Sequence, residues 1–143
     1  MIRRATEEDL VAVLGLLESV SLPSEGVAEN IRDFVVAEES GELQGCAGWE
    51  RHGRFGLLRS VAVRREAQGR QLGSALVERV LRECAETGVG EVVLLTTTAQ
   101  RFFGEKHGFA VRAREEYDAV FASSMEWRLP RCSSAVVMSR RLA

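Results

Sequence analysis

The sequence predicts an α/β domain with a mixed central sheet over residues 1–143, and three observations carry that expectation. A run of apolar and small residues, Leu57-Leu58-Arg59-Ser60-Val61-Ala62-Val63, leads through a charged turn into Gln68-Gly69-Arg70-Gln71-Leu72-Gly73-Ser74, and a strongly amphipathic segment follows at once. Val92-Val93-Leu94-Leu95 is apolar without interruption, as suits a strand covered on both faces. Strand, helix and buried strand in that order make a right-handed crossover between parallel strands. Two strands flanking Ser40-Gly41-Glu42 instead read as an antiparallel hairpin, so both kinds of pairing meet in one sheet.

The elements follow in order. Ile2 to Ala5 reads as an opening strand, and Thr6 as an N-cap followed by acids that suit the positive end of a helix. Leu10, Val13, Leu14 and Leu17 recur at helical spacing on one face. Pro23, Ser24 and Gly26 break that pattern, and a short second helix follows around Val27 to Arg32. Phe34 to Glu38 and Leu43 to Arg51 form the hairpin; His52-Gly53 turns the chain into the strand containing Leu57 to Val63. The helix opened by Gly69 and Gly73 carries an apolar stripe of Leu72, Leu76, Val77, Val80, Leu81 and Cys84, with Glu78, Arg79, Arg82 and Glu83 facing water, and Thr87-Gly88 ends it. Beyond the strand Glu91 to Thr98 come a short helix from Ala99 to Lys106 that closes at Gly108, a strand from Phe109 to Ala113, a helix from Glu116 to Ser123 and a last strand from Ala135 to Met138.

Composition narrows the function classes. The net charge of −2 gives no reason to propose nucleic acid or an anionic membrane surface as a partner. The N-terminus has no apolar core of a signal peptide, and no run approaches the roughly 20 apolar residues that span a bilayer, so a cytoplasmic location is expected. Cys46, Cys84 and Cys132 are odd in number and form no CxxC pair, and His52 and His107 lack ligand-like spacing. Neither a metal nor a disulfide framework is expected.

The turn from Gln68 to Ser74 carries the first chemical signal. The first amides of a helix have no internal partner, the helix dipole adds partial positive charge there, and glycine lets the backbone approach an anion closely. A phosphate-bearing cofactor fits such a place.

This order of elements, with that turn, resembles the GCN5-related N-acetyltransferase (GNAT) family. The family signature Gln/Arg-x-x-Gly-x-Gly/Ala corresponds here to Gln68-Gly69-Arg70-Gln71-Leu72-Gly73, with Gln71 replacing the middle glycine. Val61-Ala62-Val63 fits the preceding Leu-Ala-Val strand, and Gly108-Phe109 fits the family's Gly-Phe. Two groups are similar in the C-terminal third: the N-acetylglutamate synthase acetyltransferase domain, and the small acetyltransferases encoded in arsenic-resistance operons. The second shares Leu22-Pro23-Ser24-Glu25-Gly26 and Ser133-Ser134-Ala135-Val136-Val137-Met138 and is the closer match. The resemblance implies a GNAT fold with a mixed sheet of about 6–7 strands and about 4–5 helices, acetyl-CoA as co-substrate without a metal, a small-molecule amine or amino acid as acceptor, and homodimers, which are common in the family.

The resemblance also assigns roles. Of the cofactor-binding strand Val61, Ala62 and Val63, amides near Val61 would polarise the thioester carbonyl and those near Val63 would align the pantetheine; amides from Gln68 through Gly69, Arg70, Gln71, Leu72 and Gly73 to Ser74 would hold the pyrophosphate. The Arg70 side chain either adds a charge-assisted phosphate contact or is a solvated turn residue. Many family members use a tyrosine as general acid; the positions reached by counting are Phe103 and Gly104, neither of which donates a proton. Ser134, Ser133, Cys132 and Tyr117 remain as candidates. Glu25 and Glu50 are the carboxylates suited to a base, with Glu25 in a loop that would wall the acceptor pocket. Arg59 is the cation expected to meet an acceptor carboxylate, sharing a strand face with Val61 and Val63. The sharpest acceptor is a glutamate-like analogue carrying arsenic or phosphorus; glutamate itself and a non-catalytic acetyl-CoA-binding module are the alternatives.

Overall fold

The computed structural model describes residues 1–142. Seven strands form one sheet in the order β1-β2-β3-β4-β5-β7-β6, where β1 is Ile2–Arg4, β2 Phe34–Glu39, β3 Glu42–His52, β4 Phe55–Val63, β5 Glu91–Thr96, β6 Ala110–Arg112 and β7 Val136–Arg141. All neighbours are antiparallel except β4 and β5, which run parallel with Leu57 opposite Val93. The described residues also form three α-helices, α1 (Leu10–Ser19), α2 (Val27–Asn30) and α3 (Leu72–Glu86), a π-helical turn at Phe102–Lys106 and several short 3-10 turns. This is the mixed sheet with about four helices that the sequence predicts.

Helix α3 covers one face, burying Leu76, Val77, Val80, Leu81 and Cys84 against Val35, Ala47, Leu58, Val92 and Leu94. A fully buried Val or Leu contributes about 1.5–3 kcal/mol relative to exposure, so this stripe holds the crossover in place. On the opposite face α1 and α2 pack over Phe34, Val36, Cys46 and Ala62. The rest of that face is covered by the segment between β6 and β7, through Tyr117, Phe121 and Trp127 against Leu57, Val93 and Val137.

Two features position the site. The ladder between β4 and β5 pairs Phe55 to Leu58 with Glu91 to Leu94. Beyond Leu58 the strands diverge: β4 continues with β3 alone and β5 with β7. Between Arg59 and Ala62, β4 also bulges. Gly48 pairs with Arg59 and Cys46 with Ala62, so the single residue Ala47 faces both Ser60 and Val61, and Ser60 takes φ +60°. The extra residue reverses the alternation. Val61 and Val63 therefore pack with Leu58 on the α3 face, whereas Arg59 stands with Glu50 and Leu57 on the other. The expectation that Arg59 shares a face with Val61 and Val63 is thus wrong, because strict period-two counting fails across a bulge.

Two helix expectations also change. The segment Ala99 to Lys106 is not a plain α-helix; its wider π turn lets Phe103 pack inward on Phe109 while the Phe102 ring meets His107 at 5.0 Å between centroids. Glu116 to Ser123 is a chain of turns after a single 3-10 turn at Arg114–Glu116. Ser124 Oγ accepts from the Trp127 amide, a local bond that competes with helix hydrogen bonding, and Asp118 accepts from the Trp127 indole.

Candidate active site

The divergence of β4 from β5 opens a cleft of about 270 Å³, lined by Leu58 to Val61 on one wall and Leu94 to Ala99 on the other. The β5-facing edge of β4 has no ladder partner there, so backbone groups of the bulge face the cleft rather than a neighbouring strand. A second hollow adjoins it, lined by Val63, Gln68, Gly69, Gln71, Leu72, Gly73, Ser74, Phe102 and Lys106. The first intrahelical bond of α3 runs from the Ala75 amide to the Gln71 carbonyl, which leaves the amides of Leu72, Gly73 and Ser74 without helical partners. This pair of hollows fits an extended ligand with an anion at the α3 end.

Local sequence explains the cradle. The Gln68 side-chain amide donates to the Val63 carbonyl at 3.0 Å and ties the turn to the end of β4. Gly69 has φ +88° and Gln71 φ +61°, so Gln71, at the signature's middle position, sits in the left-handed region that costs a non-glycine residue. Gln71→Gly is therefore expected to stabilise the fold by about 0.5–1 kcal/mol, the relieved strain outweighing glycine's entropy. Urea unfolding checks this; a lower midpoint would mean that the Gln71 side chain contributes more than its backbone costs. The Ser74 hydroxyl is engaged by His107 Nε2 at 2.9 Å, and His107 Nδ1 by Glu78 at 2.6 Å, so Ser74 offers its amide rather than a free hydroxyl.

On the opposite face of β4 lies a buried charge network. Arg59, whose side chain is wholly covered, donates from Nη1 to Glu50 Oε2 at 2.7 Å and from Nε to Ser60 Oγ at 3.0 Å; Glu126 stands 3.7 Å from Nε. Arg59 Nη2 has no partner among the described residues. Burial pushes the Glu50 carboxyl up, but hydrogen bonds from His52, Arg59 and Ser124 outweigh it and hold it below its ordinary value. Burial acts on Glu126 with less opposition: against the pull of Arg59, its carboxyl is pushed up to about 7. Gly26, at φ +84°, lies over the arginine, and a Cβ there would approach Nη1 to 2.9 Å. Within Leu22-Pro23-Ser24-Glu25-Gly26 it is thus the glycine that closes on Arg59.

Several predicted site residues lie elsewhere. Glu25 is partly exposed and paired with Arg131 at 2.6 Å; its own backbone amide, ahead of that arginine, holds its carboxyl low, and it does not line the cleft. Ser134 is exposed in a turn and outside the cleft, as is Ser133, whereas Cys132 and Ala135 line it. Burial, with Glu126 nearby, pushes the Cys132 thiol up, so it stays protonated. Tyr117 is a core residue donating to Glu91 Oε2 at 2.6 Å. Arg70 lines a separate hollow with Met1, Glu38 and Glu39 and does not line the one beside Gly73 and Ser74. Phe103 does reach the cleft wall, without a hydroxyl. Glu126 and Lys106 are the residues that sequence reading missed. Lys106, the chain's single lysine, lines the cradle; Glu126 sits in a segment with no helix or strand period to place it.

A model of the acetyltransferase (GNAT) domain matches residues 30–111, more than half of the chain. The chain belongs to the GNAT acetyltransferase family. An uncharacterized N-acetyltransferase of Chlorobaculum tepidum is 35% identical over 79 residues, 54% of this chain, and the match spans about half of that relative's length. Among solved structures, Rv2747 from Mycobacterium tuberculosis in complex with CoA superposes with a TM-score of 0.81 at 23% identity, covering 100% of this chain and 99% of that one. N-acetylglutamate synthase from Neisseria gonorrhoeae, complexed with coenzyme A and N-acetyl-glutamate, gives 0.85 at 23% identity over 100% of this chain and 35% of the synthase. At that identity the likeness is one of GNAT fold. Among the described residues no group of three or more His, Cys, Asp or Glu converges to hold a metal ion, and no helix is long and apolar enough to cross a membrane.

Proposed function

We propose that the chain transfers the acetyl group of acetyl-CoA to the amine of a small amino acid or amino-acid analogue. The observation that carries this reading is the wholly buried Arg59, whose Nη2 lacks a partner beside a cleft sized for a small molecule. A buried guanidinium left with a free donor is costly unless a ligand completes it, and a carboxylate is the group its fork matches. Acetyl-CoA supplies the activated acyl group as a thioester. Amides of Leu72, Gly73 and Ser74, with Lys106 beside them, hold its phosphates; the bulged stretch Ser60 to Val63 aligns the pantetheine and stabilises negative charge on the thioester oxygen. Similarity in fold to proteins crystallised with coenzyme A supports the cofactor.

The sharpest acceptor is a glutamate-like molecule, including an arsenic- or phosphorus-bearing analogue, and glutamate itself is the companion case, because the gonococcal synthase was crystallised with N-acetyl-glutamate. Calorimetric titration with acetyl-CoA, then CoA release with each amino acid and analogue, tests the reading. Arg59→Lys keeps the charge but loses the fork, and is expected to raise the acceptor KM about tenfold while acetyl-CoA affinity stays within about twofold. An unchanged acceptor KM would make Arg59 purely structural. A second reading, an acetyl-CoA-binding module without turnover, draws on Phe103 and Gly104, the two positions at which the resemblance would place a tyrosine and neither of which donates a proton; saturable binding with no CoA release under any acceptor would establish it.

A further inference from the structure

We propose that Glu126 is the general base that takes the proton from the acceptor's ammonium group, and that Arg59 and Glu126 together select an α-amino acid zwitterion. This rests on the acetyl-transfer reading above. Among the described residues Glu126 is the one carboxylate lining the cleft, and it is 6% exposed. No donor among the described residues hydrogen-bonds its carboxylate, and its nearest cation is Arg59 at 3.7 Å, beyond hydrogen-bond distance. The other carboxylates fail on geometry: Glu50 is saturated by Arg59 and His52, and Glu25 is bound to Arg131 outside the cleft. Glu126 is held from behind by Trp127, whose indole donates to Asp118 at 2.9 Å while Arg114 stacks 4.8 Å over its ring. A base fixed on an anchored turn needs no rearrangement to meet its substrate.

The arrangement is a cation beside an anion, matching a carboxylate beside an ammonium. With the acceptor carboxylate on Arg59 Nη2, the ammonium lies next to Glu126. Glu126 takes one proton; the freed nitrogen pair forms the C–N bond to the acetyl carbon; the C–S bond breaks and its electron pair leaves with sulfur. A second proton from that nitrogen passes to the sulfur, giving amide and free CoA thiol, and Glu126 returns its proton to solvent. The groups facing Glu126 are Arg59 from β4, Glu50 from β3 with His52 behind it, and Arg131 and Cys132 from the segment before β7. Burial above all, with Glu50 adding to it and Arg59 opposing it, pushes its carboxyl up to about 7, suited to accept a proton at neutral pH.

The test compares two kinds of acceptor with acetyl-CoA: each standard amino acid in turn, and hydroxylamine, an amine already uncharged at neutral pH that needs no base. Glu126→Gln is expected to lower kcat/KM for the amino acid about 10²–10³-fold and abolish the rise in rate through pH 7, while hydroxylamine acetylation stays within about threefold and reports an intact fold. Equal losses for both acceptors, or a retained pH limb, would overturn the assignment of Glu126 alone. A wild-type protein that acetylates hydroxylamine but no amino acid overturns the zwitterion subsite. Transfer to neither would overturn the transferase reading and this role with it.

Discussion

Arg59→Ala is expected to destabilise the fold by about 3–5 kcal/mol at alkaline pH, because it leaves two carboxylates buried without their cation. The Arg59 side chain is fully covered, and those of Glu50 and Glu126 are nearly so. Deleting the arginine removes a 2.7 Å charge-assisted bond and leaves a gap beneath Gly26. The loss depends on pH. Glu126 has a folded-state value raised from 4.5 to about 7, so its contribution is fully present below 4.5 and is lost as pH rises through 7. Without Arg59 the carboxylate is harder still to ionise, and the penalty grows as pH rises from 6 to 9. Urea unfolding at both ends of that window measures it. Adding Glu126→Gln to the Arg59→Ala background should recover part of the loss at pH 9 and little at pH 6. A penalty equal at both pH values would mean that Glu126 and Arg59 are not coupled in the folded protein.

What the sequence made legible follows from which signals are local. The apolar stripe of α3 and the uninterrupted Val92-Val93-Leu94-Leu95 specify a crossover by period and burial alone, and both appear with the expected parallel pairing. The turn into α3 was legible because its features, positive φ and amides without helical partners, belong to consecutive residues. Gln71 adopts φ +61° there without being glycine. The acceptor side was less legible. Arg59 stood out as a charge inside an apolar strand, but the bulge at Ser60 and Val61, invisible to alternation, decides which face it occupies and hence which partners it meets. Glu126 lies 67 residues from Arg59 in sequence (126 − 59), in a segment held by Tyr117, Phe121 and Trp127 against the sheet rather than by any periodic element. Glu25 and Ser134 belong to sequence motifs whose neighbours Leu22, Pro23, Cys132 and Ala135 line the cleft, yet neither side chain lines it.

Gly73→Glu is expected to abolish acetyl-CoA binding while leaving the fold intact, which separates the cradle's function from its structure. A Cβ at Gly73 meets only Val63 Cγ2 at 3.7 Å and Phe102 Cζ at 3.9 Å, both ordinary contacts, so the folded chain has room for a side chain. The residue is the second of α3, where an acidic group interacts favourably with the helix dipole by about 0.3–1 kcal/mol, and replacing a helical glycine adds a similar amount. Thermal unfolding should therefore occur at the same temperature or a few degrees higher. The same carboxylate lies in the hollow beside the free amides and Lys106, where it claims the donors that an anion needs and repels the diphosphate. Affinity for acetyl-CoA should fall at least about 100-fold, a loss of roughly 2.7 kcal/mol in binding against a small gain in stability. Gly73→Ala, which adds bulk without charge, serves as the partner variant and should weaken binding about tenfold or less. If Gly73→Glu binds acetyl-CoA as tightly as the parent, the start of α3 is not where the diphosphate sits. If Gly73→Ala loses as much affinity as Gly73→Glu, close backbone approach rather than charge governs the cradle.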